Sequence, residues 1–406
     1  MNPNDYKNIS SCSSRPLSRD GANTGDTEIN TICFVAAHSG GHMIPCATIA
    51  SKLTPEHKIC FITLDHKLER DILAKYNFID VIKYLELPKF PYQKVWRYPT
   101  FIYKLIQTIL KSREILRVQQ VTRVITTGGI SAIPVCFSAK ILGIPIELYE
   151  LNLEPGKTIM FLAPLANKIK ICFAETKNFF RASEQEKCEL VDYPVRFTAQ
   201  DHDTQLISFN ALITNPDHQA PTILQDSHNI FLDTFVVSVP QECIEPLVAP
   251  NRFTIFILGG SQGSNFLNNL ALQLAPLADQ IQVLHQTGAN PNLTQLEQFY
   301  AQHNIPAYLF TYTHEIAQLY NLADVIITRA GAGVLAEILF FNKPAIVIPL
   351  KTGTTSHQVA NAQAFAKQHL TKSGEDLCEA WTILDQDQVA HDPQILLTEI
   401  SKYIVK

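Results

Sequence analysis

The chain has 406 residues, which is more than one hydrophobic core usually serves and suits two domains of ordinary size. Apolar residues make up 46% and charged residues 17%, a globular composition, and the net charge of −5 disfavours nucleic acid as a partner. The nine cysteines are scattered and form no C-x-x-C pair, which argues against a zinc site or a disulfide framework and favours a reducing cytoplasm.

The amino-terminal segment, residues 1–29, is rich in Ser, Asn, Asp and Gly and has no hydrophobic run. This composition predicts a disordered tail rather than a signal peptide. No apolar stretch of the sequence reaches the roughly 18 residues of a membrane-spanning helix, so we expect none.

From Thr31, apolar and β-branched runs alternate with helical patterns, which predicts a parallel sheet covered on both faces over residues 30–196. The strand-like runs are TICFVAA (31–37), HKICFIT (57–63), TRVITTGG (122–129), IPIELYE (144–150) and NKIKICFA (167–174).

Residues 197–250 are polar and irregular, which predicts a linker or insert between domains. The alternation resumes over residues 251–375, and a final segment spans 376–406. The later strand-like runs are RFTIFILGG, QIQVLHQTG, AYLFTYT, ADVIITRAG and KPAIVIPL. We therefore predict an α/β protein with two Rossmann-like, doubly wound parallel sheets facing across a cleft, with ligands outside the carboxyl ends of the strands.

Four turns rich in glycine or small residues follow buried strands and precede helices, an arrangement that suits phosphate binding through free backbone amides. The alternative is that these glycines only close tight turns. No dinucleotide-binding or P-loop pattern occurs, which disfavours a dehydrogenase or P-loop enzyme. The turns are residues 39–42, 128–129, 259–263 and 329–333.

Three sets of residues have side chains of a type that can catalyse a reaction or bind a ligand. His42 begins a helix and can accept a proton from an attacking hydroxyl, or it only orders the turn. Glu337 can bind a ribose diol, or it only interacts with the helix dipole. His357, Gln358 and Asn361 share a helix face that can address sugar hydroxyls or simply be solvated.

Two D-x-D triplets, residues 201–203 and 385–387, have a spacing that can hold a divalent ion beside a diphosphate. Both lie in polar sequence far from the glycine turns. We interpret them as solvated loops and predict no metal.

Residues 87–113 contain six basic residues, no acidic residue and several aromatic residues. This mixture fits a surface that rests on anionic lipid headgroups, and the alternative is an ordinary helix with snorkelling lysines. The predicted membrane contacts are Phe90, Lys94, Trp96, Arg97, Phe101 and Lys104.

Taken in order, these segments resemble the MurG family of GT-B glycosyltransferases. The family's GGTGGH loop resembles residues 37–42, its HEQN segment residues 149–152, and its GNPVR segment residues 192–196. GGSQG is intact at 259–263, ADVIITRAGAGVLAE (323–337) is similar to the donor-site pattern, and HQVANA follows at 357–362.

The resemblance implies inverting transfer of N-acetylglucosamine from its UDP donor to the 4-hydroxyl of the lipid-linked muramoyl-pentapeptide (lipid I to lipid II) in peptidoglycan synthesis. It implies His42 as the base, no cofactor, and a peripheral enzyme on the cytoplasmic face of the plasma membrane. It also implies a C-terminal helix that crosses back to the first domain. The implied UDP-sugar-binding residues are Ser39, Gly40, Gly41, Asn152, Arg196, Ser261, Gln262, Gly263, Thr313, Ala332, Gly333, Glu337, Gln358 and Asn361.

The sequence departs from the family pattern mainly on the acceptor side. Ala37 and His38 replace two glycines, the second loop lacks its tyrosine and later glycines, and Tyr149 and Leu151 replace the His and Gln of HEQN. The resemblance therefore indicates the identity of the donor more strongly than that of the acceptor. The alternatives are another GT-B transferase, a UDP-sugar epimerase, or a UDP-sugar-binding subunit that has lost catalysis.

Overall fold

A computed structural model describes residues 30–37, 40–88, 91, 96, 98–202, 252–260, 263–288, 293–311, 313, 316–351, 357–373 and 381–405. These residues form two α/β units, each built on a parallel sheet. Predicted linker residues 203–250 lie outside this set.

The first sheet has seven parallel strands in the order β3-β2-β1-β4-β5-β6-β7. The strands are β1 (Thr31–Val35), β2 (Lys58–Leu64), β3 (Val81–Leu85), β4 (Val121–Thr126), β5 (Ile146–Glu150), β6 (Lys168–Ile171) and β7 (Cys188–Leu190). The helices are α1 (Gly40–Ser51), α2 (Lys67–Leu73), α3 (Tyr98–Val118), α4 (Ala132–Leu142), α5 (Lys157–Leu162), α6 (Ala182–Gln185) and α7 (Ala199–His202).

Strand β1 shows why the central strands are apolar throughout. Ile32 and Phe34 pack on the face that α1 and α2 cover, whereas Cys33 and Val35 pack on the face that α4 covers. Because both faces are buried, the strand carries no polar alternation.

The second sheet has six parallel strands in the order β10-β9-β8-β11-β12-β13. The strands are β8 (Phe253–Leu258), β9 (Ile281–Gln286), β10 (Ala307–Phe310), β11 (Val325–Thr328), β12 (Ala345–Val347) and β13 (Trp381–Ile383). The helices are α8 (Asn265–Ala271), α9 (Leu293–Gln302), α10 (Ile316–Leu322), α11 (Ala332–Phe340), α12 (His357–Ser373), α13 (Gln386–His391) and α14 (Gln394–Ile404).

The strand order reverses between β1 and β4 in the first sheet and between β8 and β11 in the second. At such a point the loops leaving the two central strands turn to opposite faces and open a crevice at their carboxyl ends. All four predicted turns follow these strands. The topology therefore brings the turns together in pairs.

The two units share an apolar interface. Phe173 of the first unit packs edge-on against Phe365 of α12, with ring centroids 5.0 Å apart. Phe197, at the start of the predicted linker, packs on Phe341 of the second unit at 4.9 Å. Helix α1 also contacts α11 directly, so the first and fourth turns begin helices that touch.

The prediction that the C-terminal segment crosses back to the first domain is wrong for its described residues. Val389, Leu396 and Ile400 are buried in the same cluster as Ile255 and Ile257 of β8. Helix α14 presents Leu396 and Ile400 on one face, Val389 comes from α13, and the second sheet offers the surface that buries all three.

Candidate functional site

The first turn leads into α1, where Gly40 is buried, Gly41 is exposed and His42 is half-buried. The hydroxyl of Thr127, from the turn after β4, donates to the His42 carbonyl at 2.9 Å. A Cβ at Gly128 would stand 3.6 Å from the His42 ring. The turns after β1 and β4 therefore meet at His42, and Ser39 lies outside the described residues.

Position 129 requires glycine, because its backbone conformation disfavours other residues and because a side chain there would press on Ala37. Its φ is +88°, in the region that favours glycine, and a Cβ there would stand 3.1 Å from the carbonyl oxygen of Ala37. The two turns thus pack backbone against backbone and hold the His42 backbone in a fixed place.

A buried carboxylate lies at the end of β5. Glu150 is 2% exposed and accepts hydrogen bonds from the Asn152 backbone (2.9 Å), the Asn152 side chain (3.0 Å) and the Gly156 backbone (2.7 Å). Burial raises the pKa of Glu150, and these N–H donors lower it in part. Glu150 therefore orients the Asn152 amide.

Asn361 of α12 joins this group to the second unit. Its side-chain N–H donates to Asn152 Oδ1 at 3.0 Å, and its Oδ1 accepts the Leu153 N–H at 3.0 Å. Two residues predicted to bind the donor sugar thus contact each other across the units. Gln358, one turn earlier, accepts the Leu350 N–H at 2.8 Å and ties α12 to the end of β12.

The third turn, after β8, packs against the loop after β9. Gly263 has φ +73°, and a Cβ there would lie 2.7 Å from the Thr287 carbonyl oxygen and Gly288 Cα. Gly260 instead faces space that the described residues leave open, because a Cβ there would have none of their atoms within 4 Å. Ser261 and Gln262 lie outside the described residues.

The fourth turn begins α11, whose N-cap residue is Gly331. Glu337, one turn into this helix, forms an ion pair with Arg196 at 2.9 Å and accepts the Tyr320 hydroxyl at 2.8 Å. A Cβ at Gly333 would lie 3.3 Å from the Tyr193 hydroxyl. The residues Arg196, Ala332, Gly333 and Glu337 are therefore brought together at the start of α11.

Thr313, predicted to lie near the uracil, follows β10 and is buried. Arg329, the first residue of the fourth predicted turn, directly follows β11 and is also buried, and the sequence reasoning gave its side chain no role. The detectable signal was an arginine placed at the carboxyl end of a fully apolar strand, where a charge is costly unless it serves a ligand or partner.

A buried histidine is linked through Asn268 to Thr287, in the loop against which the third turn packs. His285 of β9 lies 3.0 Å from both the Tyr300 hydroxyl and Asn268 Oδ1, and the Asn268 amide donates to the Thr287 carbonyl. Burial lowers the pKa of His285 to about 3. The histidine is therefore neutral in the folded protein at neutral pH.

We expect acidification from pH 7 to pH 5 to lower the free energy of unfolding by about 2 kcal/mol through His285 alone. The pKa in the folded state is below the ordinary value of about 6.5, so only the unfolded chain binds a proton in this window. The stability is present above that ordinary pKa and is lost as the pH falls below it. Urea unfolding of wild type and His285→Gln at both pH values measures the effect. An equal pH-dependence in both proteins would contradict it.

Both D-x-D triplets have ordinary roles where they are described. Asp385 caps α13 and pairs with Lys351, which also pairs with Asp387. Asp201 accepts from the backbone and hydroxyl of Thr198. Within the described ranges no group of three His, Cys, Asp or Glu side chains is arranged to hold a metal.

Helix α3 carries large apolar side chains on its exposed side. Its buried residues are Thr108, Ser112 and Leu116, whereas Ile106 and Leu110 face solvent between the exposed Lys104 and Lys111. We call Ile102, Ile106 and Leu110, with these two lysines, the α3 surface. The exposed apolar residues here are Trp96, Ile102, Tyr103, Ile106, Leu110 and Val118.

Of the predicted membrane contacts, Trp96 and Lys104 are exposed and Phe101 is half-buried. Phe90, Lys94 and Arg97 lie outside the described residues. In the part of the chain that the structure describes, none of the helices is long and apolar enough to cross a membrane.

Sequence comparison divides the chain in the same way as the structure. Residues 32–171 match the glycosyltransferase family 28 N-terminal domain, and residues 254–387 match the glycosyltransferase family 28 C-terminal domain. Over 341 residues the chain is 30% identical to the UDP-N-acetylglucosamine--N-acetylmuramyl-(pentapeptide) pyrophosphoryl-undecaprenol N-acetylglucosamine transferase of Synechococcus elongatus, covering 83% of this chain and 80% of that protein. The chain belongs to the MurG family of glycosyltransferases.

Other comparisons agree with MurG membership. The enzyme of the same name from Thermosipho melanesiensis is 28% identical over 345 residues, with 84% of this chain and 85% of that protein covered. The crystal structure of Acinetobacter baumannii MurG matches with a TM-score of 0.61 and 21% identity, covering 92% of this chain and 91% of that one. The predicted GT-B fold is confirmed.

A second solved structure shows how widely this fold is used. UDP-GlcNAc 2-epimerase from Neisseria meningitidis, bound to UDP-GlcNAc, matches with a TM-score of 0.51 and 13% identity, covering 92% of this chain and all (100%) of that one. The fold alone therefore does not separate a transferase from an epimerase. The sequence relatives make that distinction.

Proposed function

We propose that this chain transfers N-acetylglucosamine from UDP-N-acetylglucosamine, with inversion, to the 4-hydroxyl of N-acetylmuramoyl-pentapeptide on undecaprenyl diphosphate. The observation that carries the proposal is the 30% identity, along both units, to a transferase of that name. The product would be lipid II of peptidoglycan synthesis.

The geometry of the second unit supports a UDP-sugar donor. Gly260 and Gly331 border open space at the carboxyl ends of β8 and β11, so a diphosphate can approach the backbone there. The first amides of α11 point toward that space and suit a negative charge. In the proposal, Ser261, Gln262, Gly263, Ala332 and Gly333 bind the diphosphate.

The rest of the donor is assigned to residues that surround this space. Glu337 would accept hydrogen bonds from the ribose diol while its ion pair with Arg196 holds the carboxylate in place. Thr313 would lie near the uracil. Gln358, Asn152 and Asn361 would address the sugar, using the hydrogen-bonding capacity that their mutual contacts leave unused.

His42 would act as the general base. Its imidazole takes the proton of the 4-hydroxyl while that oxygen forms a bond to C1 of N-acetylglucosamine and the bond from C1 to the UDP oxygen breaks. UDP leaves with the electron pair, and its charge is stabilised electrostatically by the fourth turn. The support is the position of His42 beside Gly128, with its carbonyl held by Thr127.

The test is transfer of labelled N-acetylglucosamine by the wild-type chain to a lipid I analogue, with diacylglycerol as the control acceptor. The proposal expects labelled disaccharide on the muramoyl lipid and stoichiometric release of UDP. Binding of the UDP-sugar without transfer to either acceptor would leave a silent binding subunit. Transfer to diacylglycerol alone would identify a different GT-B transferase.

We also propose that the protein binds peripherally to the anionic cytoplasmic face of the plasma membrane, with its first unit holding the lipid acceptor. The α3 surface supports this because exposed apolar side chains between lysines are costly in water and favourable at a lipid interface. Family membership supplies the reason for such a surface, since the acceptor of the relatives is a lipid.

Replacing Ile106 and Leu110 together by glutamate is expected to lower partitioning onto anionic vesicles at least about tenfold. Each buried apolar side chain contributes roughly 1.5–3 kcal/mol, and the new carboxylates add repulsion. Vesicle sedimentation measures the effect. Leu190→Glu is the control, because Leu190 is at least as exposed (64%, against 51% for Ile106 and 59% for Leu110) but lies on the edge strand β7. Equal losses in both variants would contradict the assignment.

A further inference from the structure

Arg329 directly follows β11 and is only 8% exposed. Its Nε donates to the Ser264 hydroxyl at 3.2 Å, and Nη1 donates to the Ile348 carbonyl at 3.0 Å. The guanidinium also lies 4.5 Å from the ring centroid of Phe266. All three neighbours are electrically neutral.

This arginine therefore differs from Arg196, which pairs with Glu337. Among the residues that the structure describes, no carboxylate lies within ion-pair distance of Arg329. Burial lowers its pKa to about 10, so the side chain still carries its charge at neutral pH. A buried cation that the described residues leave without a counter-charge is destabilising, and a bound anion beside it would supply that charge.

The hydroxyl of Ser264, which Arg329 contacts, carries a proton for which the described residues provide no hydrogen-bond acceptor. Ser264 Oγ accepts the Arg329 Nε–H and, at 3.4 Å, the backbone N–H of Leu267. Both lone pairs of the hydroxyl are thereby occupied, so its own O–H must point in a third direction and donate. No acceptor for this proton is found among the described residues. Ser264 is only half-buried, on the side of the third turn.

The surroundings show which kind of anion fits. Ser264 and Arg329 lie in the two turns whose neighbouring glycines, Gly260 and Gly331, border open space. An anion in that space would accept a hydrogen bond from the Ser264 hydroxyl. The hydrogen bond from Arg329 to the Ser264 oxygen makes that hydroxyl a stronger donor, because hydrogen bonds in a chain polarise one another.

We propose that Arg329 is a positioning residue for the diphosphate of the nucleotide donor and acts on it through the hydroxyl of Ser264. The inference rests on the proposed function, since it assigns these two residues to the phosphates of the same UDP-sugar. Ser264 becomes the side chain that contacts the phosphate. Arg329 holds the direction of that hydroxyl and supplies the buried positive charge.

The test compares the affinities for UDP and uridine, measured by calorimetry on wild type, Arg329→Met, Arg329→Lys and Ser264→Ala. We expect Arg329→Met to bind UDP roughly 10–100-fold more weakly and uridine as wild type does. Arg329→Lys, which keeps the charge, should lose less. Ser264→Ala should weaken UDP binding and leave uridine binding unchanged.

Arg252→Met is the matched control. Arg252 donates to the carbonyls of Ala278 and Ile281 at the amino-terminal end of the same sheet, far from the turns. We expect its removal to leave both affinities unchanged. Thermal unfolding of each variant reports whether it is folded, and if Arg329→Met is not, Arg329→Lys and Ser264→Ala decide the outcome.

The outcomes separate the inference from the function on which it rests. Equal losses for UDP and uridine, or no loss for either, would overturn the role of Arg329 and leave the proposed function standing. A wild-type protein that binds neither UDP nor the UDP-sugar would overturn both.

Discussion

Replacing His42 by alanine is expected to lower the rate of sugar transfer by about 10²–10⁴-fold, the usual contribution of a general base. The affinity for the UDP-sugar should change little, because the base acts on the acceptor hydroxyl and only in the transition state. Single-turnover transfer to a lipid I analogue and calorimetric binding of the donor measure the two quantities separately.

The His42→Gln variant distinguishes a catalytic base from a residue that only supports the turns. Glutamine fills much of the same space and forms hydrogen bonds, but it cannot take up a proton at neutral pH. If His42 acts as a base, this variant should lose as much rate as alanine does. If His42 only supports the turns, through its contact with Gly128, glutamine should restore most of the rate.

The control for His42 is His391→Ala, which removes an exposed histidine at the end of α13 in the second unit. We expect this variant to transfer sugar as wild type does. A His42→Ala protein that keeps transfer within about tenfold of wild type would exclude general-base catalysis by this residue.

Replacing Glu337 by alanine is the substitution with the largest expected effect on stability, about 3 kcal/mol. The carboxylate side chain is 12% exposed, and its loss removes the ion pair with Arg196, whose side chain is 28% exposed, and the acceptor of the Tyr320 hydroxyl. Urea unfolding monitored by tryptophan fluorescence measures the change.

Glu175→Ala is the matched control for stability. Glu175 also pairs across the two units, with Lys367, but these side chains are 55% and 73% exposed. Solvent screens such a pair, and its removal should cost less than about 1 kcal/mol. Equal effects of the two substitutions would show that the Arg196–Glu337 pair does not stabilise the fold.

Glu337 also offers a test of donor recognition. Glu337→Gln keeps the shape of the side chain, so it separates the ribose contact from packing. We expect roughly tenfold weaker binding of UDP, because hydrogen bonds to charged groups contribute about 1.5–3 kcal/mol. Binding of 2′-deoxy-UDP should be reduced much less. Equal reductions for the two nucleotides would place Glu337 away from the ribose.

Both predictions depend on how the two units meet. The pair Arg196–Glu337 joins positions 141 residues apart, and Asn152–Asn361 joins positions 209 apart. Each pair contains residues that the resemblance assigns to the donor. The same side chains therefore connect the units and are the ones to which we assign donor binding, so we expect donor binding to be sensitive to the contact between the units.

The sequence by itself determined the architecture of the sheet centres and the position of the turns. Strands β1, β8 and β11 are almost entirely buried runs of apolar and β-branched residues, and β4 is such a run from Val124 on, so composition alone reveals them. The glycines that follow them mark conformations and close approaches that other residues do not tolerate. These are local signals, and the family motifs lie at the same places.

The sequence did not predict three of the strands, β3, β7 and β13. All three are edge strands, with half-exposed side chains and short or mixed sequences. An edge strand buries less apolar surface than a central strand, so its sequence pattern is weaker. Their assignment depends on pairing with a neighbour that only the fold supplies.

Only the tertiary structure decided which polar groups meet. The spacing of residues does not reveal that Asn361 binds Asn152, that Arg329 has no counter-ion among the described residues, or that α3 buries hydroxyls and exposes Ile106. The sequence reasoning also placed α14 on the wrong unit. The physical reason is that a local pattern records how deeply a segment is buried, whereas the partner of a charge or an apolar face depends on which distant surface packs against it.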